Sequence, residues 1–186
     1  TKAKYKYDSV GRISRKDLPS LGRTRLEYGP DGFLAERTQE IGTTSYEYDA
    51  LGRKTNIIYP KEIRVALTYD DADPGANGLG RLKSATVTGQ ASNVVRTYKY
   101  DSYGNVNNSS LQVGNPLQTL SASSHYDPLG RSVKITLPDR TELTNDYRLE
   151  HLVQQSVNGE VKITYGEFTP LGQPKVMKYA NGIKTR

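Results

Sequence analysis

Apolar and polar residues alternate with a period of two along several stretches of the chain. Val65, Leu67 and Tyr69 alternate with Ala66 and Thr68; Val133, Ile135 and Leu137 alternate with Ser132, Lys134 and Thr136; Val161, Ile163 and Tyr165 alternate with Lys162 and Thr164. Such alternation gives a strand one apolar and one polar face. Several of these runs stop at a proline, Pro19, Pro60 or Pro138, which lacks the N–H a sheet ladder needs and suits a strand end. No stretch carries convincing helical periodicity.

The strands are punctuated by one phrase. Tyr7-Asp8-Ser9-Val10-Gly11-Arg12 recurs as Tyr48-Asp49-Ala50-Leu51-Gly52-Arg53, as Tyr126-Asp127-Pro128-Leu129-Gly130-Arg131 and, with asparagine last, as Tyr100-Asp101-Ser102-Tyr103-Gly104-Asn105. Degenerate copies follow Tyr28, Tyr69, Tyr147 and Tyr165, the last leading to Leu171-Gly172-Gln173. Most anchors stand 20 or 21 residues apart. Asp favours the first position of a type I turn, where its carboxylate caps nearby N–H groups, and Gly favours the fourth. A left-handed glycine after such a turn closes a hairpin with a bulge. One repeat is therefore two antiparallel strands and two turns. The expected fold is all-β: tandem antiparallel hairpins forming a curved, single-layer, open-edged sheet over residues 1–186. Insertions are expected near 71–78 and 107–124. Stacking should bring each Tyr beside the Tyr of a neighbouring hairpin. It should also set Asp8, Asp49, Asp101 and Asp127 in one column and Arg12, Arg53, Arg81 and Arg131 in another. The segment Lys178–Ile183 reads as the opening of a further hairpin without a return strand. With Thr1 first and Met177 its one methionine, the chain reads as a piece of a longer protein, continued by more sheet.

Composition sharpens this reading. Fourteen tyrosines stand against two phenylalanines and no tryptophan, and mean hydropathy is −0.70. Tyrosine buries a large ring while keeping one wet end, which suits a thin sheet better than a thick core. No apolar run approaches the roughly 18 residues of a membrane helix. The absence of cysteine removes disulfides, thiolate catalysis and cysteine-based zinc sites.

Candidate chemistry is sparse. The net charge is +6, and the densest basic cluster is Arg12, Arg15, Lys16, Arg23 and Arg25 against Asp17. The other cations are scattered among acids, so a solvated sheet face is preferred to a nucleic-acid site, which needs a concentrated patch. Asp70-Asp71-Ala72-Asp73-Pro74-Gly75 fails as an EF-hand loop, because counting from Asp71 the sixth residue is Ala76 and the twelfth Leu82. Gly75 to Gly80 lacks the Gly-Lys-Ser/Thr of a phosphate loop. His125 reads as an ordinary strand residue. His151 lies near Glu150 and Asp146 with no candidate nucleophile, and reads as a solvated strand end. No catalytic, cofactor or metal residue is nominated, and the chain is not expected to be an enzyme.

Tyr-Asp-x-x-Gly-Arg at this spacing, from Tyr5 to about Gly182, resembles the YD repeats of RHS proteins: bacterial RHS polymorphic toxins, the B and C components of insecticidal Tc toxin complexes and, more distantly, animal teneurins. The resemblance implies a long sheet spiralling into a hollow shell. In the bacterial members such a shell encloses a toxic domain, and in teneurins it supports adhesion. It marks Tyr7, Asp8, Gly11, Arg12, Tyr48, Asp49, Gly52, Arg53, Tyr100, Asp101, Gly104, Tyr126, Asp127, Gly130 and Arg131 as structural repeat residues, with no cofactor. The implied partners are the rest of the shell and its toxin cargo, after secretion or delivery from a bacterium. A module binding carbohydrate or a cell-surface protein is the alternative. Asp127-Pro128-Leu129-Gly130 is similar to the Asp-Pro-x-Gly of self-cleaving shell ends, but repeat-like sequence continues beyond it, so it reads as a turn.

Overall fold

The computed structural model describes residues 2–73, 75–89, 93–114 and 116–185; Pro74 and Asn115, within the two expected insertions, lie outside them. The strands are β1 (Lys4–Tyr7), β2 (Ile13–Leu18), β3 (Gly22–Tyr28), β4 (Leu34–Gln39), β5 (Gly42–Tyr48), β6 (Lys54–Ile58), β7 (Arg64–Asp71), β8 (Gly78–Thr88) and β9 (Val94–Tyr100). They continue as β10 (Val106–Val113), β11 (Gln118–Tyr126), β12 (Ser132–Thr136), β13 (Glu142–Arg148), β14 (His151–Val157), β15 (Glu160–Phe168), β16 (Pro174–Tyr179) and β17 (Lys184–Thr185). All 17 belong to one sheet. Wherever the register is described, each strand runs antiparallel to the next in the chain. A single 3₁₀ turn at Pro60–Glu62 is the helical element among the described residues. Residues 107–124, expected as an insertion, fall mostly in β10 and β11. The Lys178–Ile183 hairpin has a short return strand after all: the Tyr179 N–H donates to the Ile183 carbonyl at 2.9 Å, and β17 pairs back onto β16.

The chain divides into two compact units. One comprises residues 1–70, 82–96 and 112–118; the other comprises 71–81, 97–111 and 119–186. Neither holds a thick core. The apolar residues classed as buried among those described are Ala76, Tyr100 and Val176, while most strand residues are half-buried. A one-layer sheet gives each side chain neighbours on its own face but no opposing layer. Cohesion must therefore come from cross-strand contacts and backbone ladders.

Hairpin closure follows the expected chemistry. In the first repeat the Gly11 N–H donates to the Asp8 carbonyl at 3.2 Å and the Asp8 N–H to the Arg12 carbonyl at 2.8 Å, with Gly11 at φ +86°. The same pair of bonds recurs at Asp49–Arg53, Asp101–Asn105 and Asp127–Arg131. A second irregularity follows the turns after Tyr7, Tyr28, Tyr48 and Tyr126. The β1–β2 register shifts between Lys6 and Tyr7, skipping Ser14, and equivalent shifts skip Ala35, Thr55 and Val133. A bulge placed seven residues after these four anchors re-aims the side chains beyond it.

Candidate functional site

The feature that repeats with chemistry attached is the rung joining one hairpin to the next. It begins with the turn aspartate. Asp49 Oδ1 accepts the N–H groups of Leu51 (3.0 Å) and Arg53 (2.9 Å), and its Oδ2 accepts Arg53 Nε at 2.7 Å. Asp8 and Asp127 make the same three bonds with their own turns. Asp101 makes the two backbone bonds and takes its third from Asn105 Nδ2. One short carboxylate thus closes the turn and orients the residue that follows the glycine.

These bonds hold the carboxyls below the ordinary carboxylate range. For Asp8 and Asp127 the arginine side-chain bond is the largest influence, and for Asp101 it is the Asn105 amide, each working against partial desolvation. For Asp49 desolvation is the largest single effect and pushes upward; the Arg53 backbone and side-chain donors and the Leu51 N–H together outweigh it.

The arginine then reaches the following repeat. The Arg12 guanidinium lies 4.3 Å from the Tyr28 ring centroid, Arg53 4.4 Å from Tyr69, and Arg131 4.3 Å from Tyr147. Each also bonds the next turn: Arg12 Nη1 to the Gly32 carbonyl, Arg53 to both Asp70 carboxylate oxygens (3.1 and 2.6 Å), and Arg131 Nη1 to the Leu149 carbonyl. Its two carboxylates push the Arg53 guanidinium upward, Asp70 foremost, so it stays charged. A guanidinium is suited to this double duty because its edges donate while its face stacks on a ring.

The tyrosine completes the rung. Its hydroxyl donates to the backbone carbonyl next after the arginine position of the preceding repeat. Tyr28 donates to Ile13 (2.9 Å), Tyr48 to Leu34 (2.9 Å), Tyr69 to Lys54 (2.8 Å), Tyr126 to Val106 (3.1 Å) and Tyr147 to Ser132 (3.2 Å). Burial pushes the Tyr48 hydroxyl up, helped by Tyr46 and Asp31, which keeps it a donor at neutral pH.

The expected pairing of tyrosine with tyrosine is thereby corrected. The stacked ring pairs among the described residues are Phe33–Tyr48, at 4.9 Å between centroids, and His151–Phe168, at 4.3 Å. Tyrosine meets the arginine slot of its neighbour because that side chain leaves the turn toward the following hairpin. In the repeat after Tyr28, Phe33 occupies the slot, and Gly29 stands where Asp would, its N–H donating to the Phe33 carbonyl at 2.9 Å. The anchor assigned to Tyr165 is corrected as well. The turn there is Thr169–Gln173, with the Thr169 N–H donating to the Gln173 carbonyl and the Gly172 N–H to the Thr169 carbonyl, both at 2.9 Å. The anchor is Phe168, 21 residues after Tyr147, and Thr169 Oγ1 replaces the carboxylate as acceptor of the Gln173 N–H. Tyr165 instead donates to Gln155 Oε1 at 2.6 Å. Arg81 sits in β8 rather than in a tight turn: Nη1 donates to the Asn77 carbonyl at 2.9 Å, and the guanidinium lies 5.5 Å from the Tyr100 ring. The opposed charge columns are therefore pairs within turns, bridged to the next repeat by arginine.

His151 is stacked on Phe168, the anchor of the following turn. His125 is exposed on β11 and lines a shallow cleft of about 490 Å³ with Lys99, Asn108 and Ser123. No cluster of three or more His, Cys, Asp or Glu able to hold a metal occurs among the described residues. No helix among them is long and apolar enough to cross a membrane.

Sheet and rung together define a tandem β-hairpin repeat array. Among solved structures it is similar to a chain of the TcdB2-TccC3-Cdc42 crystal structure, at 14% identity and a TM-score of 0.63. It is equally similar in fold (TM-score 0.63, 15% identity) to TcdB2–TccC3 lacking its hypervariable C-terminal region. A chain of the Photorhabdus luminescens Tc holotoxin pore gives 15% identity and a TM-score of 0.61. The matches cover 96–98% of this chain but only 11–12% of those chains. They establish the fold, and they agree with the RHS/YD-repeat resemblance read from the sequence. No family profile and no curated protein matches the chain.

Proposed function

We propose that this chain is a non-catalytic structural segment of an RHS/YD-repeat shell that encloses or presents a polypeptide toxin cargo in a protein delivered outside the cell. The observation that carries the reading is the rung. The residues repeated most faithfully are spent on closing the turns and on joining hairpin to hairpin. The fold shared with Tc toxin chains supports the same reading, as does a sheet without a core of its own. The partners are then further repeats of the same sheet and the enclosed domain. The test is limited proteolysis of the whole reading frame that encodes this chain. The cargo should resist digestion in the wild type and become digestible in a Gly52→Val variant. Equal digestion of all parts in both proteins would overturn the proposal. Saturable quenching of tyrosine fluorescence by one particular glycan would favour the adhesion module instead.

A further inference from the structure

We propose that one face of β1, β2 and β3 is a docking surface for an acidic polypeptide segment. Lys4 stands opposite Asp17 and Asp17 opposite Arg23; Lys6 stands opposite Arg15 and Arg15 opposite Arg25. Residues directly opposed in an antiparallel pair share a face. That face therefore carries Lys4, Lys6, Arg15, Arg23 and Arg25 around the single carboxylate of Asp17. Both lysines, Arg23 and Arg25 are exposed.

The row Lys6–Arg15–Arg25 sets like charges opposite one another across three adjacent strands, which disfavours the sheet. Neither the turns nor the rung requires it. Asp17 partly offsets it, and its geometry displays what the surface recognises. Oδ2 accepts Arg15 Nε (3.1 Å) and Nη2 (2.7 Å), while Oδ1 accepts Arg23 Nε (2.9 Å). Two guanidinium groups thus converge on one carboxylate through charge-assisted bonds, Arg15 on one oxygen and Arg23 on the other. The second row, Lys6, Arg15 and Arg25, contains no acid. The acids next along this face, Glu27 and Glu36, stand opposite each other rather than opposite the cations, and they bound the patch.

The class of ligand follows from what the face lacks. Tyr5 and Tyr7 alternate with the lysines of β1 and so belong to the opposite face. The cationic face of β1–β3 presents no ring on which a nucleic-acid base could stack. A chain bearing repeated carboxylates matches both the charge and the one anion geometry already in place. Such a segment would dock here whether or not the sheet encloses a cargo.

The test uses the 186-residue chain and a labelled peptide of alternating Glu and Ser, read by fluorescence anisotropy. Saturable binding that weakens steeply with added salt is expected. The double variant Lys6→Gln/Arg25→Gln should bind on the order of fivefold more weakly, with a melting temperature unchanged or raised because opposed like charges are relieved. Removing two exposed lysines elsewhere, Lys175→Gln/Lys178→Gln, should leave binding as it is. Unchanged affinity in the first variant, equal weakening in the second, or a lower melting temperature in the first would each overturn the proposal. Tighter binding of a heparin fragment or single-stranded DNA of matched charge would overturn the choice of occupant.

Discussion

Gly11 and Gly52 hold the same turn position, yet they answer to different constraints. Both have positive φ, +86° and +75°, where a side chain is strained. A Cβ at Gly11 would meet nothing within 4 Å, whereas one at Gly52 would lie 2.6 Å from Phe33 Cζ. Gly11→Ala should therefore cost about 1–2 kcal/mol from conformation alone. Gly52→Val should cost more, since the Phe33–Tyr48 stack must also move. Thermal unfolding of the two variants checks the order. Tyr48→Phe tests the rung itself: losing the donor to the Leu34 carbonyl should cost about 0.5–1.5 kcal/mol, with the far-ultraviolet spectrum unchanged. The turn aspartates predict a pH response. Their folded values lie below the unfolded value of about 3.9, so their stabilisation is fully present above that value and is lost as pH falls through the folded one. Asp127→Asn should melt below the wild type at neutral pH, and the gap should close as both are taken toward pH 2. A gap that stays constant would remove the Arg131 ion pair from the account.

At the scale of the element, what the sequence discloses depends on how local the cause is. The turns at Asp8, Asp49, Asp101 and Asp127 were legible because aspartate and glycine act within five residues. The rung was not, because which side chain meets Tyr28 depends on strand register and on a bulge at Ser14 that has no residue signature. Ser, Ala, Thr and Val fill the equivalent places. Phe168 is hidden from a tyrosine-based marker, although its spacing from Tyr147 and the Gly172 that follows point to it. Asn158-Gly159 is a further local signal in the sequence. With φ of +50° and +82°, it forms the two-residue turn between β14 and β15 that such a pair favours. Asn158 Oδ1 also accepts the Glu142 N–H at 2.8 Å. Asn158→Val should destabilise the β13–β15 hairpins by about 1–3 kcal/mol, through the left-handed conformation and an orphaned N–H. Hydrogen exchange at Glu142 should rise with it.

Little apolar volume is buried among the described residues, so stability is a sum over neighbours. All-β content and the single layer could be read from alternation and from tyrosine's dominance over phenylalanine. The two-unit division could not, since nothing in composition changes at residue 70. Protection from hydrogen exchange should be graded: highest in strands with described partners on both sides, such as β4, β5 and β14, and lowest in β17, whose one described partner is β16. Uniform protection would indicate a cooperative core that the structure does not contain.

Because each turn arginine reaches only its own turn and the repeat directly ahead, no contact in a rung depends on how many repeats exist. A duplicated stretch of about 21 codons would arrive with its own turn, its own clasp and a socket for the next. Length in such a protein is free to drift through unequal recombination, and lineages should differ by whole repeats more readily than by single residues.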